Sequence, residues 1–129
     1  MRAAAAGILL AVVGSTLASA PRIYVTFRGK PLKFAKAVQP YRSQRTVMVP
    51  FRELGAMIGA KITRNPDGKH VEITFGTESI AYEPGHHGYR LNGRHQNMRG
   101  ASESRKGRLF VPIRLYTDVT SGLVHAEIR

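Results

Sequence analysis

Thr46-Val47-Met48-Val49-Pro50-Phe51-Arg52-Glu53-Leu54-Gly55-Ala56-Met57-Ile58-Gly59 reads as a strand that turns into a helix at a proline. Thr46 to Val49 is short, apolar and β-branched, as a strand requires. Pro50 suits the entry to a helix, where its fixed φ is compatible and its missing N–H costs nothing. Phe51, Leu54 and Ile58 then recur at helical spacing, with Met57 beside them, and Gly59 is placed to stop the helix in a left-handed conformation. The device returns as Val111-Pro112-Ile113-Arg114. Arg108-Leu109-Phe110 leads into it; Ile113, Leu115, Tyr116 and Val119 follow as an apolar face, and Gly122 takes the place of Gly59. A catalytic constellation is usually asymmetric, so a corner used twice reads as construction. Pro50, Arg52, Pro112 and Arg114 are therefore expected to be structural, each arginine anchoring its corner to a carboxylate or a carbonyl.

Outward from the corners the chain reads as hairpins. Ile23–Phe27 and Pro31–Phe34 flank the turn Arg28-Gly29-Lys30. Tyr41-Arg42-Ser43-Gln44-Arg45 reads as a turn. Ala60–Thr63 and Val71–Phe75 bracket Asn65-Pro66-Asp67-Gly68-Lys69, a turn sequence between alternating runs. Glu78–Tyr82 is the next strand, Tyr89-Arg90-Leu91-Asn92-Gly93-Arg94 resembles the first glycine turn, and Leu123–Ile128 is a final strand. The expected class is α+β: antiparallel β-hairpins packed on two short helices, as pseudo-duplicated βαβ-type units. Two copies make a pseudo-symmetric domain and no solenoid.

A Gly-Lys hairpin, a basic turn, a Val-Pro-x-Arg corner, a helix ending in glycine and an Asp-Gly hairpin, in that order over residues 23–128, resemble the copper amine oxidase N-terminal-like (stalk) domain of bacterial exported proteins. Leu54-Gly55-Ala56-Met57-Ile58-Gly59-Ala60 and the two corners carry the resemblance. It implies an α+β module, often appended to envelope proteins, without a settled biochemical role. Oxidase chemistry is not implied: the modified tyrosine and three histidine copper ligands belong to a separate, larger domain. The second unit departs from the pattern, because no hairpin follows its helix. A partner or a second copy would then complete its sheet.

The first twenty residues have a positive start, an apolar run from Ala3 to Val13 and an Ala-x-Ala ending, the pattern of a signal peptide over 1–20. Pro21 is awkward just after a cut, and cleavage after Ala18 is the alternative; an uncleaved anchor is another. Residues 21–129 then form the stalk-like domain, with no transmembrane span after cleavage. The expected location is secreted, periplasmic or cell-surface.

With 20 basic against 8 acidic residues the formal charge is +12, which favours anionic partners and does not specify a fold. Cysteine is absent, so disulfides and thiolate metal sites are excluded. Two basic segments precede the corners: 22–45, with Lys36 among its cations and no acid, and 90–108, with Arg99 among its cations and Glu103 alone opposing them. Lys30, Arg42, Arg45, Arg94, Arg105, Lys106 and Arg108 are the candidate polyanion-binding residues, with Tyr24, Tyr41 and Tyr89 near enough in sequence to stack on sugars or bases. Two merely solvated faces would carry the same charges. His86-His87 is the one histidine cluster, and His95 would join it only if the fold brings it close; no metal and no cofactor are expected. A triad drawn from Ser102 or Ser104, a histidine and Asp118 has no supporting spacing.

The functional expectation is an exported, non-catalytic envelope module that binds an anionic envelope polymer or an acidic protein through basic loops; extracellular DNA is a further candidate. The alternatives are a structural or protein-interaction module that dimerises or completes its sheet with a partner, and a small secreted hydrolase. The oligomeric state is open.

Overall fold

The computed structural model describes residues 22–129, and the expected signal peptide lies outside the described residues. The order of elements is β1 (Ile23–Phe27), β2 (Lys30–Pro31), a 3-10 turn (Lys36–Val38), β3 (Tyr41–Ser43), β4 (Thr46–Pro50), α1 (Phe51–Ile58), β5 (Lys61–Arg64), β6 (Val71–Phe75), β7 (Glu78–Tyr82), β8 (Gly88–Leu91), β9 (Arg94–Asn97), β10 (Glu103–Arg105), β11 (Arg108–Pro112), α2 (Arg114–Val119) and β12 (Val124–Ile128). The strands form three antiparallel sheets, in the orders β9-β8-β7-β6-β5, β10-β11-β4-β3 and β12-β1-β2. The class is α+β, mostly antiparallel strand with two short helices.

The corner sequences lie at the centre of the four-stranded sheet. Val49 pairs with Val111, Phe110 with Pro50, and Pro112 with Met48. Because side chains alternate across a strand, Val47, Val49 and Val111 enter the main core while Met48 and Phe110 face the other way. There Val38 from the 3-10 turn covers them, with Phe34 and Tyr41 packed alongside. Burial on both faces is why β4 is a continuous apolar run.

Pro50 sits before α1 in extended conformation, and Gly59 closes the helix with φ 76°. The buried face is Phe51, Leu54, Gly55 and Ile58. Gly55 therefore occupies the core-facing place that spacing suggested for Met57, whose side chain is exposed. The second corner is looser. Pro112 is the last residue of β11, and the Ile113 N–H donates to Val47 O at 2.8 Å. α2 ends at Thr120 and not at Gly122: Thr120 is buried, its hydroxyl donates to Tyr116 O at 2.6 Å, and it accepts the Val124 N–H at 2.9 Å. The Thr120 hydroxyl adds to a backbone turn in which Gly122, at φ 87°, donates its N–H to Thr117 O at 2.8 Å.

Two further readings change. Tyr41–Ser43 is a strand, and the turn is confined to Gln44 and Arg45, both at positive φ. The strand after α2 has its partner within the chain. β12 pairs with β1 along its whole length, from Val124 opposite Phe27 to Ile128 opposite Ile23. Phe27 meets Phe75 edge-on at 5.9 Å between ring centroids, which links the three-stranded sheet to the five-stranded one.

Candidate anion-binding clefts

Glu103 organises the basic hairpins. Its carboxylate accepts from Tyr41 Oη at 2.7 Å, Ser43 Oγ at 2.6 Å and Gln44 Nε2 at 2.8 Å. These donors belong to β3 and its turn, and Glu103 lies on β10, so one carboxylate joins the two outer strands of the four-stranded sheet. The bonds from Ser43 and Tyr41 hold Glu103 below the ordinary carboxylate range. Burial first, and then the bond to Glu103, push the Tyr41 phenol up to about 12. The one acid in the second basic segment thus takes its hydrogen bonds from neutral donors, while Arg105 acts on it through charge without an ion-pair contact.

The seven candidate polyanion-binding residues are all exposed, and they line different surfaces. Arg105 and Lys106 border a cleft of about 480 Å³ with Lys36, Gln39, Tyr41 and Phe110. The Arg105 guanidinium lies over the Tyr41 ring, 3.7 Å from its centroid. Lys106 and Arg108 also border a second cleft, of about 530 Å³, with Arg52, Glu53, Arg64 and Ser104 among its walls. There Arg108 Nη1 donates to Glu53 Oε2 at 2.5 Å, so one of its charges is already paired. Arg45 borders a third cleft, of about 370 Å³, with Thr46, Arg99 and Arg114. Arg42 projects from β3 beside none of these clefts. Lys30 and Arg94 flank the glycine turns of the other two sheets.

The corner residues divide. Pro50 and Pro112 are buried at the sheet centre. Arg52 makes no side-chain hydrogen bond among the described residues, so it does not anchor its corner. Arg114 reaches Asp118 one turn on, Nε to Oδ2 at 3.3 Å, and Asp118 also accepts from the Tyr89 hydroxyl. The tie between the two corners is another side chain. Tyr116 Oη, buried in the core, donates to the Phe51 carbonyl, and its burial pushes the phenol well above its ordinary value. A tyrosine at core spacing was legible in the sequence; its carbonyl partner was not. Arg64, which sequence reading passed over, reaches the second cleft from β5.

His70, Glu83, His86 and His95 gather at a cleft of about 250 Å³, whereas His87 is not among its walls. His70 is held by Asp67, Nδ1 to Oδ2 at 2.6 Å, and His86 Nε2 lies 3.2 Å from Glu83. Backbone N–H groups of His70 and Lys69 lower the Asp67 carboxyl to about 2. Among the described residues no three such side chains converge on a point that a metal ion could occupy. Ser102 Oγ accepts the Gly85 N–H at 2.6 Å, and no histidine hydrogen-bonds to Ser102, Ser104 or Asp118 among the described residues. The triad is not assembled. No described helix is long and apolar enough to cross a membrane.

These features define a small antiparallel α+β domain with two proline corners and basic clefts around its hairpin turns. Residues 26–127 match the family model described as the copper amine oxidase N-terminal domain, and the chain belongs to that family. In copper amine oxidases this N-terminal domain is not the catalytic one. A comparison with curated proteins returned no match.

Proposed function

We propose that the protein is an exported, non-catalytic envelope module that holds an anionic surface polymer, or an acidic partner, in the clefts beside its basic turns. The observation that carries this reading is the cleft at Lys36, Tyr41, Arg105 and Lys106, which presents three cations, one of them stacked on Tyr41, and has no carboxylate in its lining. Glu103, the nearest acid in sequence, is occupied by Tyr41, Ser43 and Gln44. A polymer with regularly spaced anions gains from such a surface because each contact releases counterions.

The domain is also proposed to be pseudo-duplicated. In support, the equivalent valines Val49 and Val111 pair directly on each other. A local two-fold at that point sends each corner arginine to the other unit's basic turn: Arg114 lies with Arg45, and Arg52 with Lys106 and Arg108. The clefts would then have been duplicated together with the fold. The sheet-completion reading has less support, since β12 is already paired along its length with β1.

The test is binding of polyphosphate and of lipopolysaccharide at low and moderate salt. Reversing Arg105 and Lys106 to glutamate should remove most binding and flatten its salt dependence, by about one unit of log–log slope per lost contact. Reversing Lys61 and Lys69 should leave the slope in place. Equal losses from both pairs would show that only net charge matters.

A further inference from the structure

Arg45, Arg99 and Arg114 come from three separate segments: the β3–β4 turn, the β9–β10 connection and the start of α2. With Thr46 they form the complete lining of the cleft of about 370 Å³. No carboxylate borders it. Neither Arg45 nor Arg99 makes an ion pair or a side-chain hydrogen bond among the described residues. Arg114 meets Asp118 through Nε, and the Tyr89 hydroxyl lies beside the same guanidinium.

The backbone beneath these arginines is tied together. Gln44 Nε2 donates to Ala101 O at 2.9 Å, and Ala101 N–H donates back to Gln44 Oε1 at 2.9 Å. Gly100, at φ +84°, is pressed between them, because a Cβ there would stand 3.1 Å from Gln44 Cβ and 3.3 Å from Thr46 Cγ2. The Ile113 N–H bond to Val47 O fixes the base of α2 to the same strand. The backbone that carries three like charges is thus fixed around one cleft, and only Arg114 has its guanidinium paired, with Asp118. Guanidinium groups that border one cleft repel, and a compact oxyanion among them turns that cost into charge-assisted, fork-shaped hydrogen bonding. The backbone is already ordered, and the arginine side chains are what binding must order.

We infer that Arg45, Arg99 and Arg114, with the Thr46 hydroxyl, form a discrete site for one compact tetrahedral oxyanion, a phosphate-type group. The inference rests on the anionic-partner reading above, and it names the group recognised and the place.

The test is titration of the full chain with inorganic phosphate, followed by NMR of the arginine side-chain N–H signals and the Thr46 amide. Acetate serves as a planar-carboxylate arm. Saturable one-to-one binding should shift Arg45, Arg99, Arg114 and Thr46. Arg99→Gln should weaken phosphate binding about tenfold, while the charge-matched Lys61→Gln changes it less than twofold. Thermal unfolding of both variants would show that the fold is retained, and Arg45→Gln gives a second reading of the site. Acetate binding as tight as phosphate overturns the tetrahedral assignment. Absent or unsaturable shifts, or equal losses in Arg99→Gln and Lys61→Gln, overturn the site. If Arg99→Gln still binds polyphosphate with an unchanged salt slope, the broader polyanion reading survives and this site is not its anchor.

Discussion

Tyr116 Oη donates to the carbonyl of Phe51, so a residue of the second helix is latched to the first turn of the first. The two rings lie 6.3 Å apart, and both residues are buried. Each helix is short, and short helices depend on tertiary packing for their stability. Removing the hydroxyl in Tyr116→Phe should lower stability by about 1 kcal/mol while leaving the core volume nearly intact. Chemical denaturation should show an earlier midpoint with an unchanged slope.

Gly55 is the other half of that contact. A Cβ there would stand 2.6 Å from Ile62 Cδ1 and 2.9 Å from Tyr116 Oη. The end of Ile62 can turn aside, but the latched hydroxyl is fixed. Gly55→Ala should cost about 1–3 kcal/mol despite the better helix propensity of alanine. The cost should shrink in a Tyr116→Phe background, where the hydroxyl is gone. A double-mutant cycle reads the difference, and strict additivity would show that the crowding lies elsewhere.

Glu103 and Tyr41 give opposite pH limbs. Glu103 has a lowered folded value, so its contribution is present above its unfolded value and is lost as pH falls below it. Wild type should therefore lose more stability between pH 7 and pH 3 than Glu103→Gln does. Tyr41 is raised to about 12, so its contribution is intact below pH 10 and is lost as pH climbs from 10 toward 12. Tyr41→Phe should flatten that alkaline limb. Urea midpoints across both ranges check the two claims.

Asp118 is the one carboxylate that competes for the three-arginine cleft. Asp118→Asn keeps an acceptor for the Tyr89 hydroxyl and removes the negative charge beside Arg114. Phosphate affinity should rise by up to about fivefold, the scale of an exposed ion pair. Calorimetric titration measures it, and a fall in affinity would mean that Asp118 positions Arg114 more than it neutralises it.

Much of the fold follows from local chemistry. Pro50 ends a strand and precedes a helix because its ring lacks the N–H for a ladder hydrogen bond and its fixed φ suits the extended cap ahead of Phe51. Asp67 and Gly68 make a hairpin because one caps the backbone and the other accepts positive φ (73°). Phe51, Leu54 and Ile58 announce a buried face by spacing alone. Where local cues compete, tertiary packing decides. Tyr41–Ser43 is polar and basic, as a turn is, yet pairs with β4 because Tyr41 packs on Phe110. Met57 is apolar but falls on the open side of α1.

A strongly basic α+β domain of hairpins and two proline corners is legible in the chain alone, together with the basic turns that precede each corner. Those properties reside in single residues and their near neighbours. Which charges stand together is set by tertiary register. Val49 pairs with Val111, and that antiparallel register carries Arg114 to Arg45 and Arg52 to Lys106 and Arg108. Tertiary pairing likewise gives Glu103 three donors from the opposite edge and joins β12 to β1. Register and edge pairing join residues far apart in the chain, and their energies come from core packing that no local stretch encodes.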